Sequence, residues 1–364
     1  MNILSKSIET RGKHGRCRFI AGIVLAGLLT LPVPAIAEQN LMVRGHVFTA
    51  NEGGNSVSRV DLASAEVDTL PLPIEPHNVQ VTPDGTRLLV VGSPVATDGN
   101  EHGSGGHGQM SMPMGAGGRL LVLNPSDLTV PPLEIAVGNH PAHVVTDPES
   151  RRAFVTNAED DTISVVDLAA GRVTGTIPAG DYPHGLRSSP DGRQLLVANV
   201  QGGTVSLFDL EKLTEIARIP VGKAPVQVAF LPNGSRAYVS LRDEDAVAVI
   251  DLASKSVIGR IAVGDGPIQL FATPDSRKVI VANQGTTEKP DNAVSVIDVA
   301  SGSVEATLRG DVGPHGVAVS TDGALAFVTN VNAGTLSVIN TQEPSIVKTY
   351  PVGAGPNGVT YLSN

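Results

Sequence analysis

The stretch PHGLRSSPDGRQLLVANVQGGTVSLFDLEKLTEIARIPVGKA, residues 183–224, decides the fold. Its 42 residues hold four β-rich runs, Gly185–Ser188, Gln194–Asn199, Thr204–Asp209 and Glu215–Pro220. Pro190-Asp191-Gly192 is a tight-turn signal between the first two, since Pro presets φ and Gly supplies the positive φ that closes the turn. Valine, leucine and isoleucine dominate the runs, and no stretch has helical periodicity. Four short strands in a unit of about 42 residues is the sequence signature of a propeller blade.

Outward from this unit the pattern repeats. Pro-x-x-Val-like corners begin at Pro76, Pro141, Pro183, Pro225, Pro267, Pro314 and Pro356, with spacings of 65, 42, 42, 42, 47 and 42 residues. Sixteen residues after a corner stand Asn157, Asn199, Asn283 and Asn330, with Gly92 and Leu241 in the same place elsewhere. A further apolar run in each unit ends on Asp61, Asn124, Asp167, Asp209, Asp251, Asp298 or Asn340. Six complete units begin at Pro76 through Pro314. The seventh is split, with Pro356–Leu362 as its inner strand and Gly45–Leu72 supplying three outer strands. Pairing the two chain ends in one blade removes free sheet edges. The expected fold is therefore all-β: one seven-bladed β-propeller over residues 45–364, with four-stranded antiparallel blades and the last blade closed by N- and C-terminal strands.

Phe154-Val155-Thr156-Asn157 and Phe327-Val328-Thr329-Asn330, each followed by a run such as Thr162-Ile163-Ser164-Val165-Val166-Asp167, resemble the YVTN repeat. So does Pro314-His315-Gly316-Val317-Ala318-Val319-Ser320-Thr321-Asp322-Gly323. The resemblance covers nearly all of residues 45–362. That family includes YncE-like periplasmic proteins and surface-layer propellers. The resemblance implies seven blades and says little about chemistry, because such folds host binding modules, lactonases and cofactor carriers alike.

The first 37 residues read as a secretory signal. Lys6, Arg11, Lys13, Arg16 and Arg18 precede an apolar run from Phe19 to Leu31, then the small-residue site Ala35-Ile36-Ala37. Cleavage is expected after Ala37, with residues 38–44 as a lead into the first strand and a periplasmic or secreted location. The apolar run is too short to span a bilayer, so no membrane insertion is expected after cleavage. Loss of the signal, net +4 with Glu9, takes the formal charge from −10 to −14 and removes the one cysteine, Cys17. The mature chain then has no disulfide, no thiolate nucleophile and no covalent haem attachment. Strong acidity without a basic block argues against nucleic acid as a partner. No phosphate loop, dinucleotide fingerprint or nucleophile elbow is present, so neither a nucleotide cofactor nor a standard hydrolase is expected.

Two units exceed 42 residues, and both excesses fall between the second and third strands. The larger, residues 93–118, contains Glu101-His102-Gly103-Ser104-Gly105-Gly106-His107-Gly108-Gln109-Met110-Ser111-Met112-Pro113-Met114; the smaller lies around Thr286–Asp291. Those loops share a face with the corner prolines, and insertions on one face mark the working face. Three of the four mature methionines, Met110, Met112 and Met114, sit within five positions beside His102 and His107. Imidazole with thioether suits copper better than zinc, because the soft sulfur favours Cu(I). The competing reading is a Gly-rich loop with incidental His and Met.

Histidines add a second line. His77, His184 and His315 directly follow corner prolines and His143 lies one residue further on, so all four belong to a ring at the channel mouth. Asn78, Gln227, Gln269 and Asn357 hold neighbouring positions in other blades. Neutral imidazoles there can hold a metal ion, or each can hydrogen-bond the adjacent blade. Acids on the same face, among them Glu75, Asp160, Asp161, Asp181, Asp243, Asp245, Asp265 and Asp311, offer oxygen ligands for Ca²⁺ or Mg²⁺ or serve as solvated loop charge.

The leading expectation is a non-enzymatic periplasmic propeller that binds or delivers copper, with zinc second. Its metal ligands are His77, His102, His107, Met110, Met112, Met114, His143, His184 and His315, and its partner is a metal donor or acceptor protein. In outline it resembles propeller-type periplasmic zinc chaperones with a His-rich loop. The alternatives are a metal-free interaction scaffold, a lactonase- or lyase-like enzyme with an ion at the channel mouth, and a propeller binding noncovalent haem through a corner His.

Overall fold

In the computed structural model each β-rich run of residues 183–224 is a strand, at Pro183–Ser188, Gln194–Asn199, Thr204–Asp209 and Thr214–Pro220. The structure describes residues 44–95 and 117–363. The chain divides into two units, Met1–Leu41 and Met42–Asn364, and the second holds every described residue. The signal peptide and its cleavage site lie outside the described residues. Among the described residues no helix is long and apolar enough to cross a membrane.

The strands form seven four-stranded antiparallel sheets. Blades one to six begin at the inner strands Ile74–Val81, Pro141–Thr146, Pro183–Ser188, Pro225–Phe230, Pro267–Ala272 and Pro314–Val319. Blade seven is the split one: the inner strand Pro356–Leu362 pairs with His46–Asn51, which leads outward to Ser56–Asp61 and Val67–Pro71. His46 lies opposite Leu362 and Phe48 opposite Thr360.

Blades stack face to face, so their inner three strands are buried on both sides and read as continuous apolar runs. One such layer joins Leu196, Val205 and Leu207 of blade three to Val228, Ala237 and Val239 of blade four. Another joins Phe48 and Val57 of blade seven to Val79, Leu88 and Val90 of blade one, which closes the ring. The outermost strands have one face in water and alternate accordingly, as in Arg172–Pro178.

The repeated polar residues have structural work. Asn199 donates from Nδ2 to Thr204 Oγ1 at 3.0 Å and Ser206 Oγ at 2.9 Å, and its Oδ1 accepts from the Gly180 N–H at 3.2 Å. Asn51, Asn157 and Asn330 staple the same hairpin in their blades. Asp167 and Asp209, ending third strands, accept two backbone N–H groups each in the following turn.

Two details differ from the expected boundaries. The smaller excess is not a free loop: it lengthens a hairpin, Lys278–Gly285 against Pro290–Asp298, with Gly285 opposite Pro290. In blade one the second strand continues to Pro94, so Ser93 and Pro94 pair with Glu75 and Ile74. Extra ladder bonds satisfy these backbone groups better than an open loop would. Residues 96–116, with His102, His107, Met110, Met112 and Met114, lie outside the described residues.

Candidate metal centre at the channel mouth

Blades one, two and three are consecutive, and each delivers one imidazole to the same point. The Pro-His corners place His77 and His184 two blades apart. Blade two has Ala142 after its proline and puts His143 one residue further on, and its ring completes a triangle with the other two. Gly185 follows His184 because a side chain there would collide with Gln227 and the Val226 carbonyl of blade four. One potential ligand atom from each of His77, His143 and His184 lies within 4.8 Å of the others. The ring centroids are 5.2 Å apart for His77–His184, 5.8 Å for His77–His143 and 4.9 Å for His143–His184.

Hydrogen bonding fixes which nitrogens face inward. His184 Nδ1 lies 3.2 Å from the Val226 carbonyl oxygen, which can only accept, so Nδ1 carries the proton and the neutral ring presents a bare Nε2. His77 Nδ1 lies 3.2 Å from Glu52 Oε1, and the same reasoning leaves its Nε2 bare. These two Nε2 atoms stand 3.2 Å apart. Two lone pairs at that distance repel, so the contact calls for a cation between them, either a proton or a metal ion. Two nitrogens bound to one ion at ~2.0–2.1 Å with a near-tetrahedral angle stand about 3.3–3.4 Å apart. The spacing fits.

His143 is fully buried. Its Nδ1 lies 3.4 Å from Gln227 Nε2, long for a hydrogen bond, and its own Nε2 has no partner among the described residues. A sealed polar atom of this kind costs about 1–3 kcal/mol, which coordination would remove.

The charge pattern around the three rings is uneven. Burial holds His143 and His184 well below the ordinary imidazole range, and neighbouring rings push the same way, His184 on His143 and His77 on His184. Burial also acts downward on His77, but the Glu52 charge and hydrogen bond outweigh it and its pKa is raised. Glu52 is disfavoured by its own burial, yet the histidines beside it, His77 foremost, bring its pKa down. Two neutral donors therefore face one ring held by a carboxylate, the arrangement that orients ligating imidazoles and raises their basicity.

His315 is not part of the trio. Its Nδ1 bonds the Asn357 carbonyl of the next blade at 3.1 Å, the interblade bond that His184 also makes to the residue 42 positions on. His315 lies outside the close trio of ligand atoms. For His184 the interblade bond and a ligand role coexist, since the bond to Val226 sets the tautomer that frees Nε2. The acids of this face mostly cap loops: Asp160 accepts from Asn139, Asp161 from the Tyr182 N–H, Asp245 from the Gly266 N–H and Asp311 from Thr335. Asp265 pairs with Lys289 at 2.5 Å.

One participant, Glu52, escaped the sequence reading. Glu52 sits just after Asn51, where the other blades have Ser93, Ala158, Val200, Arg242, Gln284 or Val331; an acid at that place was the available signal. Asn357 Nδ2 bonds its second oxygen and fixes the carboxylate. His140 lies with its ring 6.2 Å from His77 and 6.0 Å from Tyr182. Both His140 and Tyr182 precede corner prolines with φ of +48° and +57°, where blades five to seven use Gly266, Gly313 and Gly355. Non-glycine residues held there carry strain of the kind that gathers at functional sites.

Among solved structures the chain is similar to hydrazine synthase of Kuenenia stuttgartiensis, at 20% identity and a TM-score of 0.65, covering 81% of this chain and 97% of that one. It is also similar to a functionally unknown protein from Desulfotomaculum acetoxidans, at 14% identity and a TM-score of 0.68, covering 88% and 99%. At these identities the likeness shows the fold alone. No curated protein matches the chain. The family model described as YNCE-like beta-propeller matches residues 118–364. That span is more than half of the sequence and takes in the two outer strands of blade one, all of blades two to six and the inner strand of blade seven, so the chain belongs to the YncE-like β-propeller family.

Proposed function

We propose that this protein is an exported, non-enzymatic propeller that captures a transition-metal ion at the channel mouth through His77, His143 and His184 and passes it to a partner protein. The observation that carries the reading is the convergence of three imidazoles with two bare nitrogens 3.2 Å apart and a third ring sealed without a partner for Nε2. Three neutral nitrogen donors suit Cu²⁺ and Zn²⁺, and the general affinity order of divalent ions places copper first. His77 meets the other two rings edge to face and the three ligand atoms converge on one point, which favours a bare ion over a haem. In this reading His102, His107, Met110, Met112 and Met114 of the long insertion supply a separate, softer donor set suited to Cu(I), while the preorganised trio binds more tightly.

The test is titration of Cu(I), Cu²⁺ and Zn²⁺ into the mature protein, residues 38–364, a triple His77/His143/His184→Ala variant and a deletion of residues 96–116. The expected result is loss of the tighter, imidazole-dependent class in the triple variant and loss of the Cu(I) class in the deletion. If the wild type binds none of these ions better than millimolar, a metal-free interaction scaffold replaces this reading.

A further inference from the structure

The opposite mouth of the channel holds a charged group that the histidine centre does not use. Counting from the corner proline, the fifth residue of each inner strand faces the channel near that end. Six of these seven residues, Gln80, Val145, Arg187, Phe271, Ala318 and Thr360, line one cavity of about 380 Å³. That volume is at the lower end of the ordinary range for small-ligand sites, ~300–1,000 Å³.

Arg187 is the one cation on this wall. Its Nη1 donates to the Leu186 carbonyl at 3.1 Å, its guanidinium lies over the Phe271 ring at 5.2 Å from the centroid, and its Nε is buried without a partner. No carboxylate among the described residues pairs with it, and burial alone pulls its pKa down to about 10. The residue as a whole is part-exposed, so its guanidinium reaches the cavity while its Nε is sealed without a partner. A guanidinium left in this condition at the end of a cavity lacks its anion. We infer that the far mouth is a binding site for a small organic monocarboxylate, its oxygens on Arg187 and its apolar body against Phe271, Val145 and Ala318.

The rim selects charge. The turns after the inner strands carry Asp191 and Asp322, which accept from Ser189 Oγ and Ser320 Oγ at 2.6 Å each and whose pKa values those hydroxyls hold down. They stay ionised, so a singly charged carboxylate enters at less electrostatic expense than sulfate, phosphate or a nucleic acid. Gln80 and Thr360 spend polar groups on the Val81 backbone, Gln80 Nε2 on its carbonyl at 2.9 Å and Thr360 Oγ1 on its N–H at 3.2 Å. Arg187 remains the wall's anchoring donor.

The test uses the mature wild-type protein with butyrate, benzoate, the neutral analogues butyramide and benzamide, and sulfate, read by calorimetry. Each carboxylate is expected to bind at least tenfold more tightly than its amide and than sulfate, and Arg187→Gln is expected to lose that preference. An unpaired charge kept for a ligand is not kept for the fold, so Arg187→Met should have a ligand-free Tm equal to or above the wild type. Should these variants fail to fold, phenylglyoxal labelling of the wild type, mapped by mass spectrometry, reads the same site: butyrate should protect Arg187 and butyramide should not. Equal binding of acid and amide, equal binding of sulfate, or labelling of Arg187 unaffected by butyrate would each overturn the assignment.

Discussion

The Glu52→Gln substitution tests the metal centre at its most specific point. It keeps the shape of the side chain and an oxygen able to accept from His77 Nδ1 while removing the negative charge. The carboxylate lies 3.2 Å from His77 Nδ1 and its side chain is 37% exposed. Loss of such an outer partner weakens metal binding about 10–100-fold. Exposure to solvent screens part of the charge, which places the loss here at roughly tenfold, or ~1.4 kcal/mol. That figure applies at pH 8, where proton competition is small. As pH falls through the raised pKa of His77, the wild type must expel a proton to bind metal and loses up to about tenfold in apparent affinity per pH unit. In Glu52→Gln only burial acts on His77, and burial lowers its pKa, so that competition sets in at lower pH. The ratio of the two dissociation constants should therefore be largest at pH 8 and shrink towards pH 6. Competition titration against a chromophoric chelator at pH 8, 7 and 6 measures it. Equal affinities within threefold at pH 8, or a ratio that grows on acidification, would refute the role given to Glu52.

Other perturbations follow from the same structure. His143 and His184 have depressed pKa values, so between their folded values and the ordinary ~6.5 the unfolded chain binds protons that the folded one does not. Metal-free stability should fall as pH drops below about 6.5, with His77 opposing weakly, and denaturant melts at pH 7 and 5 will show it; a more stable protein at pH 5 contradicts the burial argument. Deleting Pro356–Asn364 removes buried Val359 and Thr360 and the Tyr361 ring stacked 5.2 Å from Phe327. The apolar and ladder terms sum to on the order of 5 kcal/mol, so a truncated protein melting like the full one would rule out closure by the two chain ends. Ala224 precedes a corner proline at φ +46°, and Ala224→Gly should stabilise the fold by up to ~1 kcal/mol in chemical denaturation, whereas a loss would show that the corner is unstrained. Intact-mass analysis of exported protein should find Glu38 as the first residue; a retained leader would remove the basis for an exported protein.

The sequence by itself determined the fold. A 42-residue period, corner prolines, turn signals and two half-blades at the ends leave one ring closure, because strand period and turn chemistry are local properties written into consecutive residues. It also placed His77, His143 and His184 on one mouth of the channel. What only the tertiary structure decided was which histidines meet. Blades one to three are adjacent in the ring, and the one-residue offset of His143 lets its ring complete a triangle with His77 and His184, whereas His315, with the same Pro-His-Gly text and the same interblade carbonyl bond as His184, lies outside that group. Repeat vocabulary fixes the backbone position of a corner histidine, but the partner of its ring belongs to another blade, 25 or more residues away. Glu52 and Arg187 show the same limit. Each stands in an ordinary repeat position, and its meaning comes from what the closed ring sets beside it: an imidazole for Glu52, an aromatic face and no carboxylate for Arg187.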